Sequence, residues 1–303
     1  MSGMKIGLAL GGGGARGAAH IGVLQVLHDH GIALDHIAGS SAGAIIGAMY
    51  AGKRDPYWIE KRFYEFMETD LFHALGTDRL KDDHDPDSVF GQFAQSVRDQ
   101  VVIIMARNRK SILRREKLER SIDYLLPVKT FAELELPLEV ISADLQTGRE
   151  YVYNSGDLVE AVTQSSSIPG FVPPLEKDGR LLVDGGICSP TPVDQLLGKT
   201  DFIIAVDISR RITKPLQKMD IIEISMRADQ ITALILNNKL LEKADVVIRP
   251  QVLGLHWSRF DHLEQLVQNG RVAGEAMLET LNREIRRHRS WSYKSKQWLK
   301  NRL

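Results

Sequence analysis

A single cysteine, Cys188, among 303 residues rules out an internal disulfide framework and points to a reducing, cytoplasmic compartment. Cys188 itself reads as a small buried hydrophobe. No run of about 18 or more apolar residues occurs, so no transmembrane helix is expected. Met1 to Leu10 holds one lysine and a short apolar stretch that runs straight into glycines, which reads as a core strand and not a signal peptide. No Cys or His cluster has the spacing of metal ligands, so neither a metal nor another cofactor is expected. Internal repeats and low-complexity segments are missing too. The composition is that of an ordinary globular protein, long enough for one large α/β domain or two small ones.

Net charge is also missing, since 39 basic residues balance 39 acidic ones, but the balance hides an asymmetry. From Arg283 to Leu303 there are eight Lys or Arg residues and one acid, Glu284, against 31 basic and 38 acidic residues before it. The same tail carries Trp291, Tyr293 and Trp298. Cations with interfacial aromatics suit peripheral contact with an anionic membrane; a solvated, partly helical tail is the alternative. Nothing in the pattern asks for nucleic acid.

What the chain does have is a pair of glycine motifs near its start. Gly11-Gly12-Gly13-Gly14-Ala15-Arg16-Gly17 follows a buried strand over Lys5 to Leu10 and opens a helix over Ala18 to His30, which Gly31 ends. A short strand, His36 to Ala38, leads into Gly39-Ser40-Ser41-Ala42-Gly43, and a small-residue helix follows over Ala42 to Tyr50. Asp55-Pro56 starts another helix. From there to about Leu126 the pattern is helical and irregular, with an acidic patch (Asp82, Asp83, Asp85, Asp87) and a basic stretch (Arg107 to Arg120), which reads as a helical insertion. It is either a lid or an inert layer. Further strands are expected at Leu138 to Ala143, Glu150 to Tyr153, Leu181 to Val183, Phe202 to Asp207 and Asp245 to Ile248. Helices are expected at Asp157 to Gln164, Val193 to Leu197, Met219 to Lys243 and Asp261 to Arg287. The alternation predicts an α/β fold: a three-layer sandwich with a mostly parallel central sheet and a helical insertion at about 54–126. Residues 1–282 are expected to form the folded domain and 283–303 a tail.

A serine hydroxyl is a weak nucleophile that needs a base, an exposed position and donors for the oxyanion. Ser41 has glycine two residues away on either side and opens a helix whose N–H groups favour negative charge. The loop Gly12 to Gly14 can present N–H groups unobstructed by side chains, and Arg16 either adds positive charge there or caps surface carboxylates. A dinucleotide fingerprint is the rival reading, because Gly12 to Gly17 fits G-x-G-x-x-G and Asp35 lies about twenty residues on. Asp35, however, precedes the second strand instead of ending it. For the base, His256 and His262 are the histidines placed late enough for a triad, and Asp184 is the other candidate. Asp184-Gly185-Gly186 turns abruptly at the end of Leu181-Leu182-Val183, where ligands bind in open α/β sheets; an ordinary Asp-Gly turn is the alternative.

Taken in order, Gly12 to Gly17, Gly39 to Gly43 and Asp184-Gly185-Gly186 resemble the three signatures of the patatin-like phospholipase family. Ser165 to Pro173 is similar to the segment before the family's aspartate, and Ala143 to Gly148 to its middle strand and turn. The resemblance spans roughly Lys5 to Ile208. It implies a patatin-like fold and a lipid acyl hydrolase with a Ser–Asp dyad and no histidine: Ser41 as nucleophile, Asp184 as base, Gly12, Gly13, Gly14 and Arg16 as the oxyanion loop. Gly17, Gly39, Gly43, Gly185 and Gly186 complete the motifs, and a lipid ester is the implied substrate. Two other outcomes stay open, a Ser-Asp-His triad esterase and a non-catalytic adaptor on the same fold.

Overall fold

The computed structural model describes residues 3–76, 113–212, 215–216, 221–252, 255 and 258–290. Its sheet has eight strands: β1 (Ile6–Leu10), β2 (His36–Ser40), β3 (Leu138–Asp144), β4 (Arg149–Tyr153), β5 (Leu175–Lys177), β6 (Arg180–Asp184), β7 (Phe202–Val206) and β8 (Val246–Ile248). The order is β5-β6-β3-β2-β1-β7-β8, with β4 also on β3. Strands β3, β2, β1, β7 and β8 run parallel, whereas β4, β5 and β6 pair antiparallel. The sheet is thus mostly parallel, with an antiparallel corner.

Alternation along the central strands divides the core. Leu8, Leu10, Ile37, Ile204 and Val206 belong to the larger cluster. It is covered by α1 (Ala18–Asp29), α2 (Ala42–Lys53), α3 (Pro56–Met67) and α8 (Leu263–Arg289). Ala9, Ala38, Ile203 and Ala205 point the other way, beneath a 3-10 turn at Val193–Leu196 and Leu241 at the end of α7 (Ile221–Leu241). Small side chains on that face let a single short turn lie against the sheet, which makes the third layer thin. Residues 18–27 of α1 are all buried, as expected for a helix that is apolar nearly all round.

The insertion expected at about 54–126 contains α3, α4 (Asp70–Ala74) and α5 (Arg115–Leu125). Asp55 caps α3 by accepting from the N–H groups of Tyr57 and Trp58, with Pro56 in the first position. The acidic patch at Asp82 to Asp87 lies outside the described residues, as do Trp291, Tyr293, Trp298 and His256. One expectation changes: the helix at Val193 to Leu197 is a 3-10 turn. β5, which the sequence pattern did not indicate, is a strand too short for its alternation to register. The apolar face of α8 continues past residue 283: Leu281, Ile285 and His288 are buried, and His288 pairs with Asp245 at 3.1 Å and stacks edge-on against Phe202.

Candidate active site

Register alone brings two distant turns together. Along β3, β2 pairs with Leu138 to Ile141, β6 with Ser142 to Asp144, and β4 with Val140 to Asp144. A strand has two edges, and β4 overlaps both partners, so β2 and β6 share the opposite edge end to end. They run in opposite directions, and their carboxyl ends meet there: Ser40 lies opposite Ile141 and Asp184 opposite Ser142. The residues that follow or end those strands, Ser41 and Asp184, therefore become neighbours across about 140 residues of chain.

Ser41 sits at the N-cap of α2 with φ 53° and ψ −121°, a left-handed conformation that costs a non-glycine residue of order 1–3 kcal/mol. Close packing enforces it. A Cβ on Gly39 would stand 2.5 Å from the Gly43 carbonyl oxygen, and one on Gly43 would collide with the Leu10 carbonyl. The Ser41 N–H donates to Ser165 Oγ at 3.0 Å, and that hydroxyl donates on to the Ile141 carbonyl at 2.5 Å. Ser40 Oγ donates to the Ser189 carbonyl at 2.6 Å. Ser165 ends α6 (Leu158–Ser165).

Asp184 is buried at the end of β6. Burial pushes its carboxyl up from 3.8 to about 6, against the pull of hydrogen bonds from the Ser41 side chain and the Gly186 N–H, the latter at 2.7 Å. An acceptor with a value near 6 is far better matched to a hydroxyl proton than an ordinary aspartate. Cys188, beside it, has its thiol raised to about 12 by burial and by Glu150, and so stays protonated.

The glycine loop abuts Ser41: a Cβ on Gly12 would come 3.3 Å from Ser41 Cβ. Gly12 differs from expectation, because its N–H donates to the Pro190 carbonyl at 2.9 Å and is not free. Among the described residues, the N–H groups of Gly13 and Gly14 have no partner, and Gly14 has φ 57°, which glycine adopts without strain. Arg16 braces the loop through Nε, which donates to the Gly13 carbonyl at 3.0 Å. Burial and the nearby Arg210 lower its guanidinium to about 10, partly offset by Asp207, so it stays charged at neutral pH. Gly17 lies against Ala42. Two residues to which the sequence reading gave no role complete the support. One is Ser165; the other is His20, fully buried, whose Nε2 donates to the Gly11 carbonyl at 2.8 Å and whose burial lowers it to about 4, so it is neutral.

Asp35 sits at the opposite end of the sheet, where its carboxylate accepts the Ile6 N–H at 2.7 Å, so the acid of a dinucleotide site is not at hand. His262 lies among Arg259 and Asp261 instead of beside Asp184. Beside Ser41 opens an apolar cleft with about 790 Å³ of empty space, its mouth included. The walls come from the glycine loop, α2, Phe63 of α3, Leu118 of α5, the segment after α6, and Phe260 with Leu263. Such a lining suits a hydrocarbon chain and offers little to a polar ligand. No group of three metal-ligating side chains occurs among the described residues, nor does a helix long and apolar enough to cross a membrane.

Comparison with known proteins agrees with the motif reading. The model of patatin-like phospholipases matches residues 8–197. An uncharacterised NTE family protein of Mycobacterium tuberculosis is 32% identical over 209 residues, covering 68% of this chain and 49% of the relative. Patatin-like phospholipase domain-containing protein 6 of Mus musculus is 31% identical over 213 residues, covering 69% of this chain and 14% of that protein. The chain spans about half the length of the mycobacterial relatives it matches. Among solved structures, VipD from Legionella pneumophila aligns over 91% of this chain and 67% of its own, at 16% identity and a TM-score of 0.49.

Proposed function

The chain belongs to the patatin-like phospholipase family, and on that footing we propose that it is a serine hydrolase cleaving carboxylic ester bonds of lipids. One observation carries the reading: β-sheet register sets the Ser41 hydroxyl close enough to the buried, raised carboxyl of Asp184 to pull its pKa back down, beside a cleft lined almost wholly by hydrocarbon. Ser41 Oγ attacks the ester carbonyl as Asp184 takes its proton, and the N–H groups of Gly13 and Gly14, with the start of α2, hold the oxyanion. Asp184 returns the proton to the departing alcohol oxygen, leaving an acyl group on Ser41. Water, deprotonated by Asp184 in turn, releases the acid. Arg16 and His20 keep the loop in place, and the acyl chain lies along Ile45, Ile46 and Phe63.

The unit proposed to do this is residues 1–282, with the insertion at 54–126 supplying part of the cleft wall. The basic run from Arg283 to Leu303 is proposed to add peripheral contact with anionic lipid. Because α8 is packed through His288, the informative truncation follows Ser290; it should weaken co-sedimentation with anionic vesicles and leave ester hydrolysis unchanged. Catalysis itself is tested with a fluorophosphonate probe, which should label the chain and fail to label Ser41→Ala. Equal labelling of both would remove Ser41 as nucleophile.

A further inference from the structure

Three serines stand in a row at the end of α6, and two of them are committed to the dyad's scaffold. Ser165 Oγ takes the Ser41 N–H at 3.0 Å. The Ser167 carbonyl takes the Asp184 N–H at 2.9 Å, while its hydroxyl donates to the Thr163 carbonyl at 2.8 Å. Ser166 lies between them, so its neighbours in sequence are bonded one to each member of the dyad. Its backbone is pinned by bonds from its N–H to the carbonyls of Val162 and Thr163. Its hydroxyl is the exception: only 9% of the residue is exposed, and Oγ is buried without a hydrogen-bond partner among the described residues. Buried hydroxyls are ordinarily satisfied, so an orphan here asks for a partner that arrives from outside.

The cleft says where that partner comes from. Among its described lining residues, Ser41 and Ser166 are the only ones with polar side chains. An acyl chain has nothing to accept a hydrogen bond; the oxygens of the ester group do. The carbonyl oxygen belongs to the free N–H groups of Gly13 and Gly14. The other oxygen, on the departing alcohol, must come within reach of Asp184 to collect a proton, and Ser166 belongs to the stretch bonded to Asp184.

We propose that Ser166 is a further catalytic residue, whose hydroxyl turns about χ1 into the cleft when substrate binds and donates a hydrogen bond to the leaving oxygen as the C–O bond breaks. The inference rests on the hydrolase reading above. The electron pair of the breaking bond stays on that oxygen, the proton that neutralises it comes from Asp184, and Ser166 keeps its own proton while spreading the developing charge. Such help matters for an alkoxide and is superfluous for a stable phenolate.

The test compares two esters of the same acyl chain, one p-nitrophenyl and one simple alkyl, on the intact chain and on Ser166→Ala. Ser166→Cys is a second variant of nearly the same size with a weaker donor. kcat/KM is the readout because it reports the acylation step. The expected result is a fall of about 10- to 100-fold for the alkyl ester, with the p-nitrophenyl ester within about twofold. Equal losses on both esters would make Ser166 structural and overturn the inference, as would unchanged rates on both. Activity surviving in Ser41→Ala would instead remove the underlying reading, and with it this one.

Discussion

The two glycine motifs look alike in sequence and do opposite things in the fold. In Gly39-Ser40-Ser41-Ala42-Gly43 the glycines are there because backbone presses against backbone: Gly39 against Gly43, and Gly43 against Leu10. The Ser41 N–H and the Ser40 hydroxyl are both committed to partners within the fold. In Gly11 to Gly17 the glycines leave donors open. Gly11 and Gly12 are tied to Val206 and Pro190, while the N–H groups of Gly13 and Gly14 have no partner among the described residues. One motif is rigid so that Ser41 can be held in a strained conformation; the other is anchored at its base and unoccupied at its tip.

Substitution separates the two roles, and the largest effect belongs to the rigid turn. Gly43→Ala puts a methyl group into the Leu10 carbonyl, where backbone cannot yield. It should lower unfolding stability by about 3 kcal/mol or more and abolish activity, read by denaturant melts. Wild-type stability would show that the turn has slack.

The next effect has the opposite sign. The folded pKa of Asp184, about 6, lies above its unfolded value. Its favourable contribution is therefore complete below about pH 4 and is lost as pH rises through 6. At pH 7.5 the buried carboxylate destabilises the fold, and Asp184→Asn, which can still accept from Gly186, should be more stable by up to about 3 kcal/mol while losing hydrolysis. A less stable Asp184→Asn would mean that the aspartate is a structural turn.

The mildest change is at the open loop. Gly14→Ala must adopt φ 57°, which costs about 1 kcal/mol. It should leave the protein folded and lower kcat by about 10- to 100-fold through a displaced donor, with KM little altered. A kcat within twofold of wild type would remove Gly14 from the oxyanion site.

Much of this arrangement was legible in the sequence. The strands around both glycine motifs, the Asp55-Pro56 helix start and the turn at Asp184 are local signals, and each falls where its pattern indicates. What stayed hidden is non-local. That β6 runs antiparallel and meets β2 head-on along β3 leaves no periodic trace, although it is what joins Asp184 to Ser41. The Gly12 N–H reads as free until Pro190, far along the chain, is brought beside it. The run Ser165-Ser166-Ser167 showed family likeness, but three identical residues with three different partners cannot be told apart without the fold. At the other extreme, β5 spans only Leu175 to Lys177, too few residues for alternation to show.

The central claim is that Asp184, with no histidine, is the base for Ser41. The most direct measurement is the pH dependence of kcat/KM for a soluble acyl ester from about pH 4.5 to 8. The account predicts a plateau at neutral pH and a limb falling about tenfold per unit below a midpoint near 6, as Asp184 takes up its proton in the free enzyme, and it predicts the same limb in His262→Ala. A flat profile across that range, or a limb that His262→Ala abolishes, would contradict it.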